Sequence, residues 1–252
     1  MGRDILCAHF FGAGMLWDAF LIAWRIPNLF RRLFGEGALT AAFVPSFVRL
    51  LEAGRREEAF ALLNRLLTIL VLFLGGVTVL GVGLAFALPL VWPDEKMVLV
   101  SGLLRILLWY IPLVCCGAIL GAALNGLFRF LAPAVAPIVL NVTWLVALPF
   151  IVLTFTRNKV LDSKAIYVLA WAVLGGAILQ LLTMVIPLRR EGVRFRPEWA
   201  PRDEGLRDVG RQFFPTIFGL ALVQINEVVD TVIAEIFVLV CRQRLLDRVD
   251  FG

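Results

Sequence analysis

The chain has 252 residues, 61% of them hydrophobic and 17% charged, with a formal net charge of +5. Soluble domains carry about 25% charged residues, so this composition excludes an ordinary soluble enzyme. The basic excess is read as arginine-rich loops beside membrane helices, with no nucleic-acid partner implied.

In chain order, residues 1–17 (MGRDILCAHFFGAGMLW) read as the end of a truncated first helix, with Gly12 and Gly14 as a turn and no signal-peptide cleavage pattern. Residues 18–51 form a second, polar-interrupted segment that ends in the charged loop RLLEAGRREE (49–58). Four stretches then run without a charged residue: Leu66–Trp92, Ile106–Phe128, Phe130–Thr156 and Ala165–Leu188. A hydrocarbon core of about 30 Å takes roughly 20 helical residues. Continuous rather than alternating apolar character excludes a membrane β-barrel for these runs. The predicted helices are therefore about 59–91, 97–127, 134–156 and 165–188. A long polar loop (189–211) follows, then a seventh helix from about Phe213 to Val240. The expected fold is all-α: a polytopic helical membrane protein with about seven transmembrane helices.

Arginines crowd the loops 49–58, 128–133 and 189–211, whereas the alternate loops hold only Lys96, Arg157, Lys159 and Lys164. The positive-inside bias places the first set, and the N-terminus, in the cytoplasm. Gly75, Gly76, Gly81 and Gly83, and the pair Gly117 and Gly121, are read as positions where helices approach closely. Asn125, Asn141 and Gln180 sit in apolar surroundings, and two readings stay open for them: hydrogen bonds between helices, or the lining of a cavity. Cys7, Cys115, Cys116 and Cys241 lack metal spacing and read as small buried side chains. His9, the only histidine, has no partner at ligand spacing, so neither a zinc site nor a disulfide framework is expected.

The stretch RIPNLFRRLFGEG (25–37) departs from this pattern. On a helix, at about 100° per residue, Asp18, Arg25, Arg32 and Glu36 fall within about 40° of one another, with Arg31 about 100° away. A charge at the bilayer centre costs at least ~2.5–3.5 kcal/mol, so such a face is expected to line a wet cavity. Pro27, Gly35 and Gly37 are expected to break the helix around it. Guanidinium groups favour bidentate phosphate or carboxylate partners, which points to an anionic substrate. There is no GxxxxGK[ST] loop for ATP and no paired acidic motif for prenyl transfer. The class that is left is a secondary transporter or flippase, not an enzyme.

RDILCAHFFGAGMLWDAFLIAWRIPNLFRRLFGEGALTAAFVPSF (3–47) closely resembles the start of the MurJ (MviN-type) lipid II flippases, within the superfamily of multidrug and polysaccharide exporters. GAALNGLFRFLAPAVAPIVLNV (121–142), LAWAVLGGAILQLL (169–182) and FGLALVQINEVVDTVIA (218–234) agree with the same family in order and spacing. The resemblance implies one lobe of a two-lobe transporter built around a cationic central cavity. It implies movement of a lipid-linked disaccharide-pentapeptide, lipid II, from the cytoplasmic to the outer leaflet of the inner membrane for cell-wall biosynthesis. Arg3, Asp18, Arg31 and Arg32 match cavity positions, and Arg25 and Glu36 are looser candidates. Asp230 matches an acid that serves a sodium site in some members; no other cofactor is implied, and the membrane potential is a driving force. Residues 1–240 would be the N-terminal lobe, 241–252 a divergent tail, and the second lobe a missing partner. Two alternatives are kept: export of another polyprenyl-linked glycan or a drug, and a non-transporting membrane interaction module.

Overall fold

The computed structural model describes residues 14–32, 37–157, 160–161, 163–200, 203–213, 215–216 and 219. Among the described residues the helices follow in the order α1 (Met15–Phe30), α2 (Ala38–Glu52), α3 (Arg56–Val91), α4 (Glu95–Leu107), α5 (Tyr110–Gly126), α6 (Leu131–Phe155) and α7 (Ser163–Arg190). Two residue pairs, β1 (Thr156–Arg157) and β2 (Val160–Leu161), form a short antiparallel ribbon between α6 and α7, where the sequence suggested only a loop. Residues 204–213 are again helical.

Among the described residues, four spans are long and apolar enough to cross a membrane: α3, α4 with α5, α6, and α7. Burial ranks them. The most apolar window of α4–α5 is 72% buried, against 22% for α3 and for α6. The α4–α5 span is therefore the centre of the bundle, with α1 against α4, α2 against α5, and α6 and α7 against each other. Leu72, Phe73, Leu80 and Leu84 on α3, and Ile138, Val146 and Phe150 on α6, are exposed. An apolar surface of that extent would be anomalous in water; on helices of this length it is the face turned to lipid.

Two predicted single helices are broken. Residues 18–51 divide into α1 and α2. Pro27 lies inside α1 and does not end it. Lacking an N–H, it removes only the bond to the Ala23 carbonyl. The helix continues to Phe30, widens into a π-type turn at Arg31 and Arg32, and α2 restarts from Gly37. Gly35 lies outside the described residues. The predicted helix 97–127 divides at Leu108–Trp109 into α4 and α5. Here the cause is Pro112, which cannot donate to the Leu108 carbonyl. That oxygen instead accepts the Thr78 hydroxyl of α3 at 3.4 Å and the Ile111 N–H at 3.1 Å.

Glycines act at some crossings and not at others. A methyl group on Gly102 would overlap the Tyr167 hydroxyl of α7, and one on Gly176 would stand 3.0 Å from Leu140 of α6. Gly117 and Gly121 face Leu181 and Met184 at ordinary contact distance. Of the α3 glycines only Gly81 meets a neighbour, Leu108; Gly75, Gly76 and Gly83 face open space. The expectation that all four bring helices together is corrected accordingly.

One end of the bundle is charged. Glu191, just past α7, accepts Arg129 Nε at 2.7 Å and Arg56 at 2.9 Å, and Arg49 pairs with Asp208 at 3.0 Å. The arginine-rich loops thus do gather at one end, as their alternation implied. The stretch 189–211 is not a simple polar loop. Asn64 of α3 donates to the Arg194 carbonyl at 2.8 Å, and the Glu198 N–H donates to the Thr68 hydroxyl at 3.1 Å. Arg65 bridges Asp203 and Glu198. The helix at 204–213 lays Leu206, Val209 and Phe213 over Leu39, Leu66 and Leu70.

Candidate functional site

The walls of α1, α2, α5, α6 and α7 enclose a cavity of about 930 Å³. Trp24, Asn28 and Arg31 enter it from α1, a 4-then-3 spacing that puts all three on one face. Thr40 enters from α2, Gly117, Gly121 and Asn125 from α5, Asn141 from α6, Gln180 and Met184 from α7. Arg31 Nε donates to Asn28 Oδ1 at 3.2 Å, which fixes the guanidinium along the wall. The Thr40 hydroxyl closes the first turn of α2 on the Gly37 carbonyl at 3.0 Å. Arg31 is the one charged lining residue among those described.

Aromatic rings shut the far end. Trp24 lies 4.9 Å from Tyr110 and 5.9 Å from Trp144, measured between ring centroids, and Phe20 meets Trp144 edge-on at 5.7 Å. Tyr110, Phe20 and Trp144 are buried. Both Trp24 and Tyr110 line the cavity, so this cluster is its closed end, and the walls run from there toward the charged end, where Asn125 and Pro133 flank the Arg129 loop.

The predicted charged face is corrected. Asp18 is not a lining residue; it is 56% exposed and pairs with Lys96 of α4 at 3.4 Å, on the far side of the aromatic cluster. Arg25 is exposed and Arg32 half-buried, and neither is among the lining residues. The helical arithmetic puts these three about 20° apart in turn, but could not say which way the group points. Packing decides. Trp17, Phe20 and Trp24 seek the apolar interior, and their stripe carries Asn28 and Arg31 into the cavity. Arg3, Glu36 and Asp230 lie outside the described residues. Among the described residues no cluster of three or more His, Cys, Asp or Glu side chains could hold a metal ion, and Cys115 and Cys116 are free and buried. Asn125, Asn141 and Gln180 line the cavity, in keeping with one of the two readings given for them. Trp24, Asn28 and Tyr110 were missed, though the spacing of Trp24, Asn28 and Arg31 was legible.

Outside the membrane spans, the Arg129 hydrogen bond, with help from Arg56, holds the Glu191 carboxyl below the usual carboxylate range despite its partial burial.

Known proteins can now be set against this geometry. Residues 7–241 match the family described as lipid II flippase MurJ. The chain belongs to the lipid II flippase MurJ family. It is 32% identical over 245 residues to a probable lipid II flippase MurJ of Haemophilus influenzae, covering 92% of this chain and 47% of the relative. A lipid II flippase MurJ of Burkholderia cenocepacia is 31% identical over 244 residues, covering 93% of this chain and 46% of that protein. A solved lipid II flippase MurJ in an inward closed conformation superposes with a TM-score of 0.68 at 25% identity, over 90% of this chain and 46% of that one. The chain therefore spans about half the length of the MurJ relatives it matches.

Chemically, the site offers one fixed guanidinium and several neutral amides in a low-dielectric surround. A guanidinium gains most from a planar, multiply charged oxyanion such as a phosphate. The amides supply donors and acceptors without net charge.

Proposed function

We propose that this chain acts in moving lipid II, an undecaprenyl-pyrophosphate-linked disaccharide-pentapeptide, across the bacterial inner membrane from the cytoplasmic to the outer leaflet. The observation that carries the reading is Arg31, the lone described cation on the wall of a cavity of about 930 Å³ inside a membrane bundle. Family membership supplies the substrate. In this reading Arg31 binds the pyrophosphate, and the polyprenyl tail remains in lipid. A flippase makes and breaks no covalent bond; its work is to shelter a head group from hydrocarbon while access changes sides.

The charged end is assigned to the cytoplasm, because the arginine-rich loops meet there. The cavity then receives its substrate from the cytoplasmic side, and the aromatic cluster is the barrier toward the outer leaflet. The second wall of the cavity is assigned to a second lobe. Arg3, Arg32, Asp18, Arg25 and Glu36 remain candidates for contacts made when that lobe is present or when access switches. Asp230 is a candidate sodium ligand, and the membrane potential, worth about 2.3 kcal/mol per charge per 100 mV, a driving force.

The test is binding of labelled lipid II to the purified chain in lipid nanodiscs. Arg31→Ala is expected to weaken binding at least tenfold, and Arg31→Lys to restore part of it. Equal affinity of wild type and Arg31→Ala would sink the assignment.

A further inference from the structure

Gln180 is a polar residue of the cavity lining on α7. Its side-chain oxygen is buried and accepts no hydrogen bond among the described residues. The neighbouring Thr183 hydroxyl does not serve it; that group donates to the Gln180 backbone carbonyl at 2.6 Å. A buried amide oxygen left without a donor is destabilising, the more so in an apolar medium. Because Gln180 lines the cavity, a molecule that enters can supply the missing donor once the side chain turns toward it.

Its depth can be read from α5. The Phe30 carbonyl, one residue before Arg31, lies 3.9 Å from the Cys115 sulfur, while Leu181, one residue after Gln180, is the neighbour that a methyl group on Gly117 would meet at 3.8 Å. Cys115 and Gly117 are about 3 Å apart along the helix axis. Arg31 on α1 and Gln180 on α7 therefore line the cavity at nearly one depth, on separate walls with α5 between them. Asn141 also lines the cavity, near that level on α6, whose Leu140 packs at Gly176, one turn before Gln180. The α7 side of the cavity thus carries carboxamides, and the described residues put no charge there. A second phosphate would gain little on that wall. A hydroxyl or amide N–H would give Gln180 the donor it lacks and present acceptors to the amide N–H groups.

We propose that Gln180, with Asn141 on the neighbouring helix α6, is the subsite that reads the uncharged hydroxyl- and amide-bearing part of the head group, while Arg31 on the α1 wall holds the pyrophosphate. The assignment rests on the lipid-linked pyrophosphate reading above and adds a specificity determinant to it. Sites built to hydrogen-bond a substrate group discriminate strongly against analogues that lack it.

Two probes separate the roles: lipid II, and undecaprenyl pyrophosphate, which has the same tail and anion without glycan or peptide. Each is titrated against the purified chain in nanodiscs, as wild type, Gln180→Leu, Gln180→Asn and Arg31→Ala, with thermal melting of each variant to show that it is folded. Gln180→Leu is expected to weaken lipid II binding about tenfold, the equivalent of 1.4 kcal/mol, and to leave undecaprenyl pyrophosphate binding within twofold. Arg31→Ala is expected to weaken both. Gln180→Asn, which keeps the carboxamide, is expected to fall between wild type and Gln180→Leu. Unchanged lipid II affinity in Gln180→Leu, or an equal loss for both probes, overturns this subsite and leaves the pyrophosphate reading standing. Failure of both probes to bind the wild-type chain overturns the two together.

Discussion

The two ends of the bundle are closed by different chemistry. At one end Arg56 and Arg129 converge on Glu191, Arg65 spans Asp203 and Glu198, and Arg49 reaches Asp208. At the other, Trp24, Tyr110, Phe20 and Trp144 meet edge-on or tilted with ring centroids 4.9–5.9 Å apart, and Asp18 pairs with Lys96 beyond them. An aromatic cluster is held by contact area and shape, which neither salt nor pH alters much. An ion-pair end holds loops in register at little net cost, since exposed pairs contribute about 0–1 kcal/mol. The difference teaches where strength and where adjustability lie. The end next to water can be rearranged cheaply, and the end that closes the cavity cannot.

Four substitutions would break or sharpen that contrast. The largest effect is expected for Trp144→Ala, which removes a buried ring touching both Phe20 and Trp24; a loss of about 3 kcal/mol is expected, visible as a lowered melting temperature of the detergent-solubilised chain that does not change with salt. Arg65→Ala comes next, at about 1–2 kcal/mol, because it strands the half-buried Asp203 and Glu198 without their cation. Hydrogen exchange in residues 193–200 and 204–213 should rise in that variant. Glu191→Gln should cost less at neutral pH and show itself mainly through pH. The folded-state carboxyl is held low by Arg129 and Arg56. Its stabilisation is therefore present above the ordinary carboxylate value of about 4.3 and is lost as pH falls through the lowered folded value. Wild type should lose melting temperature across that acid range, and Glu191→Gln should lose less. Arg49→Ala should be smallest, within about 0.5 kcal/mol, since both partners are at least half exposed (69% and 50%). If Trp144→Ala were salt-sensitive, or Glu191→Gln as costly as Trp144→Ala, the contrast between the ends would fail.

Much of the fold was legible because membrane helices announce themselves by length and charge. The uncharged runs 66–92, 106–128, 130–156 and 165–188 lie within or along the four long spans. The division of loops into two sets was equally readable, because arginine alternates strongly between them. What could not be read was direction. The angular grouping of Asp18, Arg25 and Arg32 is a property of one helix, but the wall that faces the cavity depends on where α5, α6 and α7 stand. The aromatic stripe from Trp17 to Trp24 was the better guide, because burial of large rings outweighs the orientation of side chains that can reach water. The break at Leu108 was legible but not read. Pro112 falls in the interior of the predicted helix 97–127, where a missing N–H ends or kinks a helix. The docking of residues 193–200 on α3 uses the backbone of Arg194 and Glu198 as partners for Asn64 and Thr68, and those backbone groups carry no sequence signal.

The missing N–H at Pro112 has a mechanical consequence. A membrane helix resists bending because each ladder bond lost in hydrocarbon must be replaced. At Leu108 that bond does not exist, and its carbonyl is served instead by the Thr78 hydroxyl of α3 and the Ile111 N–H. The joint falls between two packing allegiances: α4 holds α1 and α3, whereas α5 holds α7 and also touches α2 and α3. The central span is thus a rod notched and pinned at its midpoint, and the wall carrying Gln180 can tilt against the wall carrying Arg31 about a joint that already lacks one ladder bond.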